Sequence, residues 1–375
     1  MAYIEYKQRG KKRLWSFSIR ERSKSLLHKS GFKTKREAKI EAEKVLHKLN
    51  TGSILRSNMT LSELYQEWLD LKILPSSRSE VTKKKYIMRK KVIERLFGDK
   101  PVSQIKPSEY QKIMNEYGKS ASRNFLGRLN SCIRASIQMA IADKVVIEDF
   151  TAYVDLFSTK SGQKVEEKYL HTESDYQKVL VYLKNKFDYQ KSIVPYVIYF
   201  LFKTGMRFSE LIALTWDDVD EVGEQVKTYR RYNTAIHKFT PPKNNTSIRL
   251  VPITSDMLSL LKTLKILQLK TNKELNIDNK NNLIFQHFGY AYDVPDIGTV
   301  NKAIKVMLME LEIFPIISTK GARHTYGSYL WHNNIDLGVI AKILGHKDIS
   351  MLVEVYGHTL EEKISEEFMA VKSLL

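Results

Sequence analysis

The chain of 375 residues has one cysteine, Cys132, so it can form neither an internal disulfide nor a cysteine-based metal site. That scarcity fits a reducing compartment. Long apolar runs are missing too. The longest, IVPYVIYFLF from Ile193 to Phe202, is too short to span a bilayer. The first residues carry no apolar segment ahead of a cleavage site, so a cytoplasmic location is expected. Internal repeats and low-complexity tracts are absent. Acidic residues are in short supply: 42 Asp and Glu stand against 61 Lys and Arg, a formal net charge of +19. A field of that sign draws in polyanions, and nucleic acid becomes the default partner. The excess is concentrated in Met1 to Asn50, where 15 Lys or Arg meet 5 Glu, a balance of +10.

Within that basic segment, Trp15, Phe17 and Ile19 alternate after the turn signal RGKK, which predicts a strand following a hairpin turn. Thr34 to Glu37, TKRE, has the form of a capping box, and Ala38, Ala42, Val45, Leu46 and Leu49 recur behind it at helical spacing. The expectation is a small α+β domain, a three-stranded sheet plus one helix, able to offer its strands to a DNA groove. A second capping box, TLSE from Thr60 to Glu63, opens another domain near residue 58 and leads into Leu64, Trp68 and Leu71. Farther on, TKKKYIMRKKVIERLF sets Lys83, Lys84, Lys85, Arg89, Lys90, Lys91 and Arg95 among Tyr86, Ile87, Val92, Ile93 and Leu96, a basic amphipathic helix. With the helix carrying Arg123, Arg128 and Arg134, this predicts an all-helical bundle with a basic surface. No lipid anchor or large exposed apolar face accompanies the basic helix, so DNA suits it better than a membrane surface. The polar stretch STKSGQKVEEK, Ser158 to Lys168, reads as a linker. Beyond it the pattern is mixed α/β: helices near 173–186, 192–203 and 207–214, a strand hairpin between 225 and 253, then further helices.

Five short stretches of this last part concentrate chemistry. In FKTGMRFSELIALTW, Gly205 ends one helix and Arg207 opens the next, placing a guanidinium beside free backbone N–H groups, an anion site or a structural ion pair. Glu210, one turn on, is expected to orient a guanidinium. In TKGARHTYGSYL, Lys320, Arg323 and His324 lie at the head of another helix. Two separated arginines suggest a phosphate clamp, because each planar guanidinium can pair with two phosphate oxygens. In PPKNNTSIRLVPI, Asn244 and Asn245 favour a turn, and Ile248, Leu250 and Ile253 read as the returning strand. Lys243 beside that turn is either a solvated lysine or a proton donor to a departing oxygen. In LGHKD, the helix through Ile335, Val339, Ile340, Ile343 and Leu344 stops at Gly345, leaving His346 where the cap can turn its ring inward. In VYGHT, Tyr356 lies ten residues after His346, and periodicity does not separate a packed tyrosine from a nucleophile. The run WDDVD, Trp216 to Asp220, reads as a polar turn rather than a metal site.

These boxes, in this order, resemble the catalytic domain of tyrosine recombinases, specifically the phage and mobile-element integrases of Gram-positive bacteria. The resemblance covers nearly the whole chain and implies three domains: an arm-type DNA-binding domain at 1–55, a core-binding helical (SAM-like) domain at 58–157 and a catalytic domain at 165–375. It implies that Arg207 and Arg323 hold the scissile phosphate, Lys243 protonates the leaving 5′ oxygen, His346 supports the transition state and Tyr356 attacks. One position departs from the pattern. The family most often has histidine three residues before the second arginine, as the base assisting the tyrosine, and here that position is the catalytic candidate Lys320, a variation that the family also uses and that implies either a base or a positive charge only. His324, directly after Arg323, matches a position that is commonly histidine in the family and is expected to be structural.

The implied reaction suits these residue types. A phenol with pKa near 10 is about a thousandth ionised at neutral pH, so forming the phenolate costs roughly 4 kcal/mol. Positive potential at the site offsets this and stabilises the charge on five-coordinate phosphorus. One phosphodiester-type bond replaces another, so the implied reaction needs neither ATP nor a cofactor, and the motifs carry no Asp/Glu cluster of the two-metal kind. The resemblance further implies a homotetramer on double-stranded DNA with arm-type and core-type attachment sites, a bacterial host and association with its nucleoid. An excisionase and a host DNA-bending protein are the accessory partners it suggests. Candidate DNA contacts are Arg9, Lys11, Lys12, Arg20, Lys83, Lys84, Lys85, Arg89 and Lys90. The tail TLEEKISEEFMAVKSLL has Leu360, Ile364, Phe368, Val371, Leu374 and Leu375 on a helical stripe, suited to packing on its own domain or on a neighbouring protomer. Competing expectations are an integrase-derived DNA-binding regulator without catalysis and an enzyme of the type IB topoisomerase kind.

Overall fold

A computed structural model describes residues 3–9, 13–21, 24–50, 59–145, 147–160, 162, 164, 166–289, 293–350 and 352–353. By internal packing the chain divides into two units, residues 1–162 and 163–375.

The first unit begins with an antiparallel meander of β1 (Tyr3–Arg9), β2 (Leu14–Glu21) and β3 (Lys24–Phe32), with β2 in the centre. Alternation along β2 sends Phe17 and Ile19 into full burial and leaves Trp15 half-buried. Against that face lies α1 (Lys35–Asn50), which buries Ala38, Ala42 and Val45 at helical spacing. Its start is fixed as TKRE predicts: the Glu37 N–H donates to Thr34 Oγ1 at 3.1 Å, and Glu37 Oε2 accepts from the Thr34 N–H at 3.4 Å.

Among the described residues four helices follow: α2 (Leu61–Trp68), α3 (Glu80–Phe97), α4 (Pro107–Gly118) and α5 (Arg123–Ala142). The TLSE box caps α2, with the Thr60 N–H donating to Glu63 Oε2 at 2.8 Å. Leu64 and Trp68 are buried, but Leu71 is exposed. The reason is a π-helical turn at Leu69–Ile73, whose wider winding moves Leu69 and Ile73 inward in its place. On α3 the inward face is Arg89, Ile93 and Phe97, spaced by four, which leaves Ile87 outside. Arg134 of α5 serves the fold, donating to the backbone oxygen of Thr151 and, at 3.1 Å, to Thr151 Oγ1.

The second unit is built around α7 (Val194–Thr204), preceded by α6 (Glu173–Lys184). The longest apolar run in the sequence supplies α7, and an all-round apolar helix belongs in a core: Tyr196 through Phe202 are all buried. After the short α8 (Phe208–Leu211) come β4 (Val219–Asp220), β5 (Gln225–Thr228), a small hairpin of β6 (Arg231–Asn233) and β7 (Lys238–Thr240), and β8 (Arg249–Pro252). Strands β4, β5 and β8 form one sheet in that order, so the single hairpin expected from the sequence is a three-stranded sheet with β6–β7 inserted between β5 and β8. Four further helices among the described residues complete this unit: α9 (Ser255–Leu275), α10 (Ile297–Glu310), α11 (Thr319–His332) and α12 (Leu337–Leu344). Among the described residues no helix is long and apolar enough to cross a membrane.

Candidate active site

The chain turns out of α7 through Gly205 in the left-handed region, φ 61°, and a Cβ there would lie 2.4 Å from Tyr326 Cδ1 and 2.6 Å from Leu344 Cδ2. This tight turn sets Arg207 at the N-cap of α8. Similarly, α12 ends at Gly345, φ 69°, and the His346 N–H reaches back to the Ala341 carbonyl at 2.9 Å, as in a Schellman cap. His346 therefore stands one residue past a fixed helix end, as the sequence predicts.

Helix ends leave carbonyls without intrahelical partners. At the end of α12, three consecutive carbonyls are each taken by a different arginine. Arg249 Nε donates to the Ile343 oxygen at 2.5 Å. A terminal nitrogen of Arg323 donates to the Leu344 oxygen. Arg207 Nη2 donates to the Gly345 oxygen at 3.2 Å. Arg323 also donates to the Gly205 oxygen at 2.9 Å, so one buried guanidinium spans the ends of α7 and α12. The cluster thus joins residues from positions 205 to 345 at the negative end of a helix dipole, where cations are favoured.

One carboxylate balances it. Glu210 is 1% exposed and takes Arg207 Nη1 at 2.8 Å and Arg249 Nη2 at 3.1 Å. Burial alone would raise its carboxyl, but Arg249 and Arg207, and more weakly Arg323, outweigh that and hold it below the usual range. Three guanidiniums against one carboxylate leave the cluster positive. His346 stays neutral in this field: burial, then Arg323 and Arg207, bring its imidazole down to about 4. Its Nδ1 is buried without a hydrogen-bond partner among the described residues. Burial and the charges of Lys320, Arg323 and Lys168 likewise bring the half-buried His324 down to about 4.

Arg207, Arg323 and His346 are therefore brought together, and Glu210 orients Arg207. Lys243 is exposed, two residues before a 3-10 turn at Asn245–Ser247 that contacts the site. In that turn Ser247 Oγ accepts from Arg207 Nη1 at 3.4 Å, and Thr246 Oγ1 donates to the Gly345 oxygen at 3.4 Å. Lys320 is exposed in the first turn of α11, three residues before Arg323. Tyr356 and the tail stripe lie outside the described residues, as do Lys11 and Lys12.

The sequence reading missed Arg249. Strand register is the reason: Ile248 and Leu250 are half exposed, while Val251 is buried, so the inward parity is the one that Arg249 shares. A charge on the core face of a strand needs a buried partner, and Glu210 is that partner. The WDDVD run is a polar turn, as predicted. Asp218 Oδ2 accepts from the Thr215 N–H at 2.8 Å and from Arg230 Nη2 at 2.7 Å, Asp217 accepts from Asn282, and Asp220 from Gly223 and Gln225.

The candidate DNA contacts separate into groups. Arg9 is the last residue of β1, and Arg20 pairs with Glu5 at 3.3 Å on the sheet. On α3, Lys84 and Lys85 are exposed, Lys83 pairs with Glu80 at 3.2 Å, and Lys90 with Glu94 at 3.4 Å. Arg89 is no surface cation: it is 9% exposed, lies 4.7 Å from the Tyr86 ring centroid and donates to Cys132 Sγ at 3.4 Å. The four-residue spacing to Ile93 draws it inward.

Comparison with known proteins adds independent findings. Residues 170–363 match the model of the phage integrase family, and residues 60–117 match that of the phage integrase N-terminal SAM-like domain. A XerC-like tyrosine recombinase of Caldanaerobacter subterraneus subsp. tengcongensis is 24% identical over 370 residues, 92% of this chain and 91% of that protein. In structure, the Tn1549 transposon integrase in complex with transposon right end DNA gives a TM-score of 0.65 at 20% identity, over 83% of this chain and 100% of that one. A lambda integrase tetramer bound to a Holliday junction gives 0.58 at 15% identity, over 90% and 91%.

Proposed function

This chain belongs to the phage integrase family and is a tyrosine site-specific recombinase, and we propose that Arg207 and Arg323 hold the scissile phosphate of its DNA substrate while Tyr356 attacks it. In this reading the Tyr356 hydroxyl gives up its proton to solvent as its oxygen forms a bond to phosphorus, the bond from phosphorus to the 5′ oxygen breaks, and Lys243 gives that oxygen its proton and regains one from solvent. The product is a 3′-phosphotyrosyl link with a free 5′ hydroxyl, and the reverse attack by a 5′ hydroxyl rejoins the strand. His346, neutral at physiological pH, supports the transition state by hydrogen bonding, and Lys320 adds positive charge where the family most often has histidine.

The observation that carries this reading is the arginine cluster on the last carbonyls of α12. It supplies forked donors in a low-exposure site, fixed before any substrate arrives, and preorganised charge of this kind is the main source of catalysis in phosphoryl transfer. The test is a DNA duplex nicked near the cleavage position, which traps the covalent intermediate. The wild-type chain forms a protein–DNA adduct stable to denaturation, and Tyr356→Phe binds the same DNA but forms none. An undiminished adduct from Tyr356→Phe would reject the assignment. Strand exchange between two duplexes marks recombination as distinct from simple relaxation.

The remaining organisation is proposed on the same footing. Residues 1–55 bind arm-type sites, 58–157 bind the core site and 165–375 carry catalysis. The matched SAM-like segment supports the second of these, and the net positive charge supports DNA as partner throughout. The lambda integrase tetramer supports a homotetramer on DNA. Integration and excision of a mobile element, with an excisionase and a host bending protein as accessories and the nucleoid as the working location, follow from the resemblance to phage and transposon integrases.

A further inference from the structure

We infer that Arg249 is a positioning residue for the reaction, acting through Glu210 to keep the Arg207 guanidinium available to the phosphate. The inference rests on the recombinase reading of this site. Its basis is how Glu210 divides its two oxygens. Oε1 takes Arg207 Nη1 at 2.8 Å, and Oε2 takes Arg249 Nη2 at 3.1 Å and the Arg207 N–H at 3.3 Å. The Arg249 side chain is 7% exposed and its Nη1 and Nε are committed to the Ser247 and Ile343 carbonyls, at 3.2 and 2.5 Å.

Removing Arg249 would leave a buried carboxylate with one cationic partner. A carboxylate in that position closes on the remaining guanidinium in a two-pronged pair. Arg207 is the partner within reach, and its Nη1 and Nη2 would turn from Ser247 and Gly345 toward Glu210. The guanidinium would then be both neutralised and displaced, and a displacement of about 1 Å can cost roughly 10²-fold in rate. Arg249 has a second consequence through the same atoms: it joins the Ser247 turn, the end of α12 and Glu210, so the loop bearing Lys243 and the turn bearing His346 keep one spacing.

The experiment is a cycle of Arg249→Met and Glu210→Gln in the full chain, read as single-turnover cleavage of the nicked duplex. DNA affinity and urea unfolding are measured alongside. Wild-type adduct formation tests the recombinase reading itself, and its absence would reject that reading rather than this one. The expected result is that Arg249→Met cleaves about 10²-fold more slowly at near wild-type DNA affinity. In the Glu210→Gln background, where no carboxylate remains to capture Arg207, the same substitution costs less than about tenfold. Equal losses in the two backgrounds would overturn the inference, since a mere tether to the Ile343 carbonyl acts regardless of Glu210. Arg249→Lys guards against a misfolded methionine variant. It keeps a charge for Glu210, so cleavage within about tenfold of wild type supports the inference, and a larger loss at unchanged urea stability overturns it.

Discussion

At the level of single side chains, His346 and His324 carry the clearest pH signature. Both imidazoles stand at about 4 in the folded protein, against an ordinary 6.5, because burial and nearby cations disfavour their charged forms. The unfolded chain binds protons below about 6.5 that the native state takes up only near 4, so stability rises with pH across that window and is lost as pH falls through it. Urea unfolding at pH 5 and pH 7 is expected to show wild type losing stability on acidification. Replacing both histidines by Gln flattens the difference, and an unchanged pH dependence would contradict the burial described here. Single residues were also the part of the site most open to reading from sequence. Arg207 and His346 stand beside helix ends marked by Gly205 and Gly345, Arg323 lies near the head of α11, and such boundaries are written in local residue types. The Arg249–Glu210 pair was not legible, because it depends on which parity of β8 faces inward, and SIRLVPI offers apolar residues on both faces. Arg89 was misplaced for a related reason: a cation at a core spacing looks like a surface cation until its partners are known.

Among the elements, boundaries set by capping chemistry were predicted well, and those set by tertiary packing were not. TKRE and TLSE fixed the starts of α1 and α2, whereas the π-helical turn after Trp68, which exchanges Leu71 for Leu69 and Ile73, leaves no local mark. The inserted β6–β7 hairpin was likewise hidden, because its short strands look like the continuation of β5. The α7–α8 corner yields a sharp prediction. Gly205→Ala places a methyl against Tyr326 and Leu344 and forces an L residue into the left-handed region. A loss of about 2–4 kcal/mol in urea unfolding is expected, the sum of backbone strain and overpacking. Cleavage should fall with it, since the Gly205 carbonyl is an anchor of Arg323. A Gly205→Ala chain as stable as wild type would mean that the corner relaxes freely.

For the whole molecule the governing quantity is charge. With +19 on 375 residues, DNA affinity is expected to fall linearly on a log–log plot against salt, as counterions released by Lys and Arg are returned. The exposed Lys84 and Lys85 of α3 offer the test. Replacing both with Gln should reduce the magnitude of the slope by about 2 if each meets a phosphate, as titrations between 50 and 200 mM salt would register. An unchanged slope would move the DNA path off that face. The three-carbonyl clamp on α12 also bears on how strand cleavage is governed. Its grip ends at Gly345, upstream of His346 and of the chain that runs on to Tyr356. In the proposed reading, nucleophile delivery by Tyr356 and phosphate capture by Arg207 and Arg323 are separable operations. On that reading a Tyr356→Phe chain still grasps its target and withholds the cut, a loaded but uncocked state.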